Sequence, residues 1–292
     1  MNMASPRITD YLTQTSLRRI VDHALEEDLG RGDATSDAII PADFFARAVF
    51  RNRDRGIIAG LGVVAMVLNA VDSQVNFDLR VQNGAEVEPG QELVVAIGAA
   101  RSLLRAERVA LNFLQRLSGI ATLTSRYVRA VAGTKARIAD TRKTTPGLRA
   151  LEKYAVRAGG GFNHRRDLGD AVMLKDNHLA VITSLGLNLQ EAISRARQVL
   201  PHTLKIEVEV DRVDQIPQAL AANADIILLD NMSISDLREA VQMINGRAIT
   251  EASGGVTIAT VGEIASTGVD LISVGALTHS APALDIGLDL EI

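Results

Sequence analysis

LKIEVEVDRVDQIPQALAANADIILLDN, residues 204–231, contains the pattern that decides the fold. Its first seven residues alternate aliphatic and charged side chains, and residues 226–229 are four consecutive aliphatics, so both ends are predicted as strands. Residues 214–222 between them carry a helical pattern. Strand, helix and strand in this order predict parallel strands joined by a crossover helix, with both sheet faces covered.

The same alternation continues through the chain after residue 135. Strands are predicted at residues 136–139, 171–174, 204–210, 226–229, 248–249 and 271–274, and helices at residues 147–158, 189–199, 214–222, 235–244 and 260–266. Repeated alternation predicts an α/β class with a parallel sheet. Six strands are too few for a complete eight-stranded barrel, so an incomplete barrel and an open doubly wound sheet both stay open.

The residues before the alternating region follow another pattern. Helices are predicted at residues 17–29 and 63–71, with short strands and glycine-containing turns around them, which indicates a separate α+β block. A long helix is predicted at residues 100–119, where Arg101, Arg105 and Arg108 share one face. This basic face is either solvated or binds an anion, in this subunit or in a neighbouring one.

Composition excludes several classes of function. The 292 residues carry a formal net charge of -4 and only 3% aromatic residues, which argues against general nucleic-acid binding. The absence of cysteine excludes disulfides, thiolate metal sites and a cysteine nucleophile. Neither a signal-peptide core nor a run of membrane-span length is found, so we expect a soluble, cytoplasmic protein.

Basic side chains are concentrated after two of the predicted strands. Asp140-Thr141-Arg142-Lys143 follows the first strand, Lys175 follows the second, and His164-Arg165 lies in a glycine-rich loop between them. Parallel strands present their carboxyl ends at one edge of a sheet, where ligands bind. We therefore predict a pocket there for a small ligand that carries several negative charges.

Carboxylates follow the next two strands. Glu209 and Asp230 stand at neighbouring strand ends, where they could hold Mg²⁺ or bind ligand hydroxyls. Glu207 lies one step deeper on the same strand face, and we interpret it as a buried structural ion pair with Lys205 or another cation. The histidine spacing does not suit Zn²⁺.

Small residues end the last two strands. Ser253-Gly254-Gly255 and Val274-Gly275-Ala276 let the backbone approach a phosphate closely, although tight turns explain the same glycines. Placed opposite the basic cluster, they predict a phosphate site.

Many ordered motifs together resemble the quinolinate phosphoribosyltransferase family over nearly the whole chain. They are EDLG at 27–30, GDATS at 32–36, AER at 106–108, LSGIAT at 117–122, DTRKT at 140–144, NHR at 163–165, KDNH at 175–178, LDN at 229–231, SGG at 253–255 and VGALTHS at 274–280. Arg166-Asp167-Leu168 departs from the small, apolar-leaning continuation usual in the family.

The resemblance implies an α/β protein with the type II phosphoribosyltransferase fold. An N-terminal α/β sandwich, residues 1–112 joined by the tail 277–292, would precede an incomplete, seven-stranded α/β barrel at residues 113–276. A seventh strand would then be missing from the six predicted above. The resemblance also implies a homodimer in which Arg108 reaches into the partner's site.

The implied reaction joins quinolinate to phosphoribosyl pyrophosphate with Mg²⁺, giving nicotinate mononucleotide, pyrophosphate and carbon dioxide in NAD biosynthesis. By resemblance, the quinolinate carboxylates are held by Arg108, Arg142, His164, Arg165 and Lys175, with Thr141 also in the substrate site. Lys143 would lie between pyridine and pyrophosphate and act catalytically with Glu209 and Asp230, which hold the ribose hydroxyls and Mg²⁺. The loops Ser253-Gly254-Gly255 and Val274-Gly275-Ala276 would receive phosphate.

Three other interpretations stay open at this point. A paralogue in the same fold, linked to molybdate transport genes, would use another substrate. A class I aldolase could form a Schiff base on Lys175. A non-catalytic phosphate-binding regulator is the third, although Glu209 and Asp230 are both retained.

Overall fold

The structure is a computed structural model that describes residues 7–292. Residues 1–6, which include part of the segment expected to lack a signal peptide and the start of the predicted N-terminal domain, lie outside the described residues. The chain divides into two compact units. The first comprises Met1–Ser125, Lys143–Gly161 and Ala276–Ile292, and the second comprises Arg126–Arg142 and Phe162–Gly275.

The elements follow one another in two blocks along the chain. The first block contains α1 (Gln14–Leu29), α2 (Ala34–Ile39), β1 (Phe45–Asn52), β2 (Gly56–Ile57), α3 (Leu61–Val71), β3 (Asn76–Leu79), β4 (Glu86–Val87), β5 (Glu92–Ala99) and α4 (Ala100–Ala130). The second contains β6 (Arg137–Ala139), α5 (Arg149–Ala158), β7 (Val172–Leu174), α6 (Asp176–Ser184), α7 (Leu189–Val199), β8 (Ile206–Val210), α8 (Ile216–Ala221), β9 (Ile226–Asp230), α9 (Ile234–Ile244), β10 (Ile249–Ser253), α10 (Val261–Ser266), β11 (Leu271–Ser273), α11 (Ala276–His279) and β12 (Ile286–Glu291).

The first unit is built on an antiparallel sheet with the strand order β12-β1-β5-β3. One face of the sheet is apolar and buried, with Ala48 and Phe50 fully covered. The opposite face carries an ion-pair ladder in which Arg51 lies 2.8 Å from Glu92. Buried Leu17 and Val21 form the apolar stripe of α1, which contacts α3. Alternation of buried and charged positions along β1 therefore sets which face of this sheet is covered.

The second unit is a parallel sheet with the strand order β6-β11-β10-β9-β8-β7. On the free side of β6, Phe162 forms a one-residue parallel bridge with Ala139. Its N–H donates to the Ile138 carbonyl at 2.7 Å, and its carbonyl accepts from the Asp140 N–H at 3.1 Å. Within residues 7–292, the seventh strand implied by the resemblance is reduced to this bridge, which explains why no strand pattern marks it. The predicted α/β class and incomplete barrel are confirmed.

Two aspartates fix the register of neighbouring strands at the amino edge of the parallel sheet. Asp225, just before β9, accepts a hydrogen bond from the Ile206 N–H at 2.8 Å. Asp270, just before β11, accepts one from the Thr250 N–H at 2.9 Å. In return, the Asp225 N–H donates to the Ile206 carbonyl, and the Asp270 N–H donates to the Thr250 carbonyl. These two aspartates thus have structural partners at this edge.

Several predicted bounds differ from the structure. The helix predicted at residues 100–119 continues to Ala130, because the apolar side of α4 extends through buried Ile120 and Tyr127. The strand predicted from residue 204 begins at Ile206, and Lys205 lies 3.7 Å from Asp225 instead of pairing with Glu207. Helix α6 was not predicted. Of the helices in residues 7–292, none is long and apolar enough to cross a membrane.

Gly119 marks the closest approach of two backbone segments in the first unit. A Cβ built on this residue of α4 would lie 2.0 Å from the Pro282 carbonyl oxygen, which belongs to the backbone and cannot move cheaply. Gly62 in α3 differs, since a Cβ there would meet only the Ile8 side chain at an ordinary 3.6 Å.

We predict opposite effects for the same substitution at these two glycines. Gly119→Ala should lower the free energy of unfolding by about 2 kcal/mol or more through overpacking. Gly62→Ala should leave it unchanged or raise it by up to about 1 kcal/mol, because alanine favours the helix. Urea unfolding midpoints at constant slope measure both. Equal midpoints for the two variants would contradict the close approach at Gly119.

Candidate active site

The carboxyl edge of the parallel sheet collects the polar residues that follow its strands. Asp140, Lys175 and Asp230 stand at or just after the ends of β6, β7 and β9, while Glu209 is the penultimate residue of β8 and Ser253 ends β10. Strand pairing aligns these ends, since Ser253 is the register partner of Asp230. The sheet therefore brings together cations, carboxylates and a glycine loop at one edge.

Asp140 organises the basic loop that follows Phe162. Its carboxylate is fully buried and accepts from the Asn163 side-chain amide at 2.6 Å and from the His164 N–H at 2.9 Å. A buried carboxylate is stable only when such donors satisfy it. Asp140 thus fixes the backbone from which His164 and Arg165 extend.

Arg165 lies against the beginning of β7. Its guanidinium donates to the Ala171 carbonyl at 3.4 Å and lies 3.3 Å from the Met173 sulfur. Burial and the neighbouring Arg142 guanidinium lower the pKa of Arg165. A bound negative charge would remove the repulsion between these two cations.

His164 faces the interior of the sheet. Its Nε2 atom lies 3.3 Å from Glu207 Oε2 and 3.3 Å from Glu251 Oε1. Both glutamates are 1% exposed, so their charges are removed from water. The other ring nitrogen, Nδ1, accepts a hydrogen bond from the Arg165 N–H at 2.7 Å. The imidazole therefore connects a buried acidic pair to the backbone of the edge arginine.

The protonation of His164 and that of Glu207 depend on each other in this buried cluster. Burial lowers the pKa of His164, but hydrogen bonds to Glu207 and Glu251 and their charges outweigh it and raise that pKa to about 10. Burial and the Glu251 charge raise the pKa of Glu207, and they outweigh the hydrogen bond from His164, which lowers it. The Nε2 proton faces the carboxylates, and full protonation of the ring would displace the Arg165 N–H from Nδ1. His164 and Glu207 titrate as a coupled pair.

The spacing of this cluster also allows a metal ion, but its hydrogen bonding does not fit one. Nε2 and one oxygen from each glutamate lie within 4.8 Å of one another. A metal bound at Nε2 needs a lone pair there, and the neutral ring would then carry its proton on Nδ1. That proton would face the Arg165 N–H, which already points at Nδ1 from 2.7 Å. The contacts of the cluster are therefore those of a charge-paired group of protein residues.

Lys175 and Glu209 form an ion pair between the ends of β7 and β8. The Lys175 N–H also donates to His178 Nδ1 at 3.1 Å, so His178 caps the start of α6. The ion pair holds the ammonium at the edge and leaves Glu209 only 15% exposed. Its carboxylate and that of Asp230 supply the hard oxygen donors that Mg²⁺ prefers.

Asp230 and the glycine loop after β10 are linked through Asn231. The Asn231 side-chain amide donates to Asp230 Oδ2 at 2.7 Å, and its backbone N–H donates to the Ser253 carbonyl at 2.9 Å. Gly254 has φ of +91°, and a Cβ there would lie 2.2 Å from Asn231 Oδ1. The close approach of Asn231 is therefore sufficient to explain why residue 254 is a glycine. The phosphate site at Ser253-Gly254-Gly255 stays a prediction.

The remaining predicted site residues are placed as follows. Val274 is 1% exposed, and its N–H donates to the Ala139 carbonyl at 2.9 Å, which extends the pairing of β11 with β6. Gly275 follows it at the end of the second unit. Arg108, Lys143 and Ala276 belong to the first unit. The Arg108 side chain is 58% exposed, whereas Arg105 of the same helix face pairs with Asp37.

Sequence reasoning missed the parts that orient the basic loop. The sequence pattern places Asp140 at a strand end without a role, and it does not single out Glu251. Their buried carboxylates, with that of Glu207, instead anchor His164 and its neighbours. The available signal was an acid in an otherwise apolar strand, which indicates an unseen cationic partner.

Comparison with known proteins decides the family. The description "Quinolinate phosphoribosyl transferase, N-terminal domain" matches residues 33–118, and the corresponding C-terminal domain matches residues 120–289. The chain belongs to the quinolinate phosphoribosyltransferase family. It is 46% identical over 279 residues to the nicotinate-nucleotide pyrophosphorylase (carboxylating) of Mycobacterium leprae, covering 94% of this chain and 96% of the relative. A probable enzyme of the same name from Bacillus subtilis is 41% identical over 281 residues, covering 96% of each chain.

Solved structures of this family have the same fold. The nicotinate-nucleotide pyrophosphorylase of Francisella tularensis superposes with a TM-score of 0.90 at 36% identity, covering 99% of this chain and 100% of that one. NadC of Streptococcus pyogenes gives a TM-score of 0.89 at 41% identity, covering 96% and 99%. The resemblance on which the sequence analysis relied is thereby confirmed.

We predict that the cluster around His164 stabilises the protein in a pH-dependent way. Folding raises the pKa of His164 to about 10, so this stability is complete below the unfolded pKa of about 6.5 and is lost as pH rises toward 10. The free energy of unfolding lost in His164→Gln should therefore shrink between pH 6.5 and pH 10.

Urea unfolding of both proteins across this pH range measures the difference. His202→Gln, a substitution of an exposed histidine next to Pro201, is the matched control and should leave the stability unchanged at every pH. A constant gap between His164→Gln and the unsubstituted protein would contradict proton sharing in the cluster.

Proposed function

We propose that the protein transfers the phosphoribosyl group of phosphoribosyl pyrophosphate to quinolinate and releases nicotinate mononucleotide, pyrophosphate and carbon dioxide. Family membership supports the reaction class, since relatives with this name match nearly the full chain. The observation in the site that carries the proposal is the pair Arg142 and Arg165. Burial and the neighbouring Arg142 lower the pKa of Arg165, and a ligand with more than one negative charge would offset both effects.

Quinolinate meets this requirement better than a pyridine with a single carboxylate. Each arginine offers a planar fork of donors that matches one carboxylate plane. Lys175 adds a third cation at the neighbouring strand end, held there by Glu209. We propose that Arg142, Arg165 and Lys175 bind the two carboxylates, with Thr141 beside them. His164 would help to position Arg165, because the Arg165 N–H donates to its Nδ1 atom.

The ribose and phosphates would occupy the other half of the edge. We propose that Glu209 and Asp230 accept hydrogen bonds from the ribose hydroxyls and provide oxygen ligands for Mg²⁺. When bound, the metal ion would neutralise pyrophosphate charge. The N–H groups of the loops Ser253-Gly254-Gly255 and Val274-Gly275-Ala276 would donate to phosphate oxygens.

The chemistry follows from the charge on the two substrates. The bond between ribose C1 and pyrophosphate oxygen breaks as the pyridine nitrogen forms its bond to C1, and the cations stabilise the leaving group. The pyridinium nitrogen then withdraws electrons, so the adjacent carboxylate leaves as carbon dioxide and the ring carbon takes a proton from water. We propose that Lys143, directly after Arg142, stabilises the departing pyrophosphate. Positioning and electrostatics supply most of the rate increase.

We further propose a homodimer in which Arg108 enters the partner's site. The Arg108 side chain is 58% exposed and its nearest acid, Glu107, lies 3.9 Å away on the same helix, so it is available to a ligand bound by another subunit. A cytoplasmic location stays a prediction.

Two alternatives from the sequence find no support. The comparisons match quinolinate phosphoribosyltransferases, and a molybdate-linked paralogue is not needed to explain them. Lys175 forms an ion pair with Glu209, which suits a binding cation better than the neutral amine of a Schiff-base aldolase.

The direct test is product formation. Purified protein incubated with quinolinate, phosphoribosyl pyrophosphate and Mg²⁺ should yield nicotinate mononucleotide and one carbon dioxide per turnover, detected by mass. Nicotinate in place of quinolinate should give at least about 100-fold less product, because one carboxylate contact and its charge are missing. Product from nicotinate at an equal rate, or none from quinolinate, would refute the proposed substrate.

Lys143→Ala should lower kcat by about 100-fold or more while leaving the unfolding midpoint within about 1 kcal/mol of the unsubstituted protein. Lys135→Ala is the matched control, because Lys135 lies 2.7 Å from Asp270 at the amino edge of the sheet. It should keep full kcat. Normal turnover in folded Lys143→Ala would remove Lys143 from the proposed catalytic set.

A further inference from the structure

A polar network around a buried carboxylate in the first unit surrounds the segment that carries Lys143. Its centre is Glu152 on α5, whose side chain is fully buried. The carboxylate accepts from the Thr145 N–H at 3.0 Å and from the Thr145 hydroxyl at 2.8 Å. It also accepts from Arg116 Nη2 at 2.8 Å and from Arg116 Nε at 3.2 Å. These donors come from α4 and from the Lys143 segment.

A second contact holds Lys143 itself. The hydroxyl of Thr278, a fully buried residue of α11, donates to the Lys143 carbonyl at 2.7 Å. Arg116 joins this contact to the first one, since its guanidinium donates to the Thr278 carbonyl and to the Ala281 carbonyl, the latter at 3.0 Å. The backbone is thus anchored at the Lys143 carbonyl and again at the Thr145 N–H.

The strength of this anchorage follows from burial. A buried carboxylate that loses a donor has no water to replace it, so displacement of the segment would expose an uncompensated charge. The network therefore opposes movement of the peptide between Lys143 and Thr145. Fixing this backbone matters for a lysine, because its long side chain has several rotatable bonds and reaches a defined point only from a fixed Cα.

We propose that Thr278, together with Glu152 and Arg116, is a positioning residue that sets the Lys143 backbone for catalysis. This rests on the proposed function, in which Lys143 stabilises the departing pyrophosphate. None of the three residues touches the reacting atoms in this scheme. They affect the rate because they fix the Lys143 backbone, from which its side chain extends. A displacement of about 1 Å can cost on the order of 100-fold in rate.

Thr278→Val and Thr278→Ser form a matched pair that isolates the hydroxyl. Valine has the shape of threonine but cannot donate to the Lys143 carbonyl, whereas serine keeps the donor. Thr278→Val should lower kcat by about tenfold with the KM for quinolinate within about twofold, and Thr278→Ser should restore kcat to within about threefold of the unsubstituted protein. Equal kcat in Thr278→Val and the unsubstituted protein would overturn the proposal.

Amide hydrogen exchange separates this test from the test of the reaction. The peptide that covers residues 142–148 should exchange about tenfold faster in Thr278→Val than in Thr278→Ser, while α7 exchanges at the same rate in both. If the unsubstituted protein makes no product from quinolinate, the proposed function fails, and unchanged exchange at residues 142–148 would still overturn the anchorage. Faster exchange with unchanged kcat would show anchorage without catalytic positioning and would also overturn the proposal.

A second pair keeps the proposal testable if Thr278→Val does not fold. Thr145→Val removes the hydroxyl that donates to Glu152, and Thr145→Ser retains it. The valine variant should lower kcat by about tenfold and the serine variant should not. Equal kcat in this pair would then reject the role of the network.

Discussion

Two carboxylates buried in one parallel sheet form the constraint on which the second unit depends. Glu207 and Glu251 are both 1% exposed, and ionised groups in such a place are strongly unfavourable unless a partner compensates them. His164 is that partner, at 3.3 Å from each. It can reach them only because Asp140 holds the backbone of the loop at its root. The acids inside the sheet thus dictate where the loop lies, and with it Arg165.

The first unit uses a similar device. Glu152 is a buried acid whose donors lie on other segments, and through Thr145 it holds the peptide that carries Lys143. In each unit a buried carboxylate, unable to exchange its donors for water, fixes a loop that bears a cation. The backbone positions of these basic residues are therefore fixed by contacts with buried acids.

The sequence was sufficient for the fold class because the barrel elements are locally consistent. Helix α7 was predicted with its observed bounds, and the six strands were found, since apolar runs and turn residues coincide there. Phe162 could not be found, because one bridging residue has no periodicity. The bounds of α4 were short because small residues such as Gly119 resemble a helix end, whereas here they admit another backbone.

The candidate site was predictable by residue type and less so by role. The cations at the strand ends indicated an anion site by their type and position, without knowledge of their contacts. The role of each residue could not be predicted, because it depends on contacts between side chains that are far apart in sequence. Glu207 was expected to pair with Lys205 or another cation, and its partner is His164, which lies 43 positions away on a loop without helical or strand pattern. The signal in the sequence was the presence of an acid within a strand, and its partner's identity came only from the folded arrangement.

A site of this kind has a consequence for the protein without ligand. Burial and repulsion from Arg142 lower the pKa of Arg165, so both lower the stability of the folded state. A dianion removes this repulsion when it binds, and any ligand that binds only the folded state adds stability in proportion to its affinity. The Glu207 charge in the buried cluster opposes this shift and favours the Arg165 guanidinium. The acid in the interior and the cations at the edge therefore belong to one electrostatic arrangement, in which the interior charge offsets part of the repulsion at the edge.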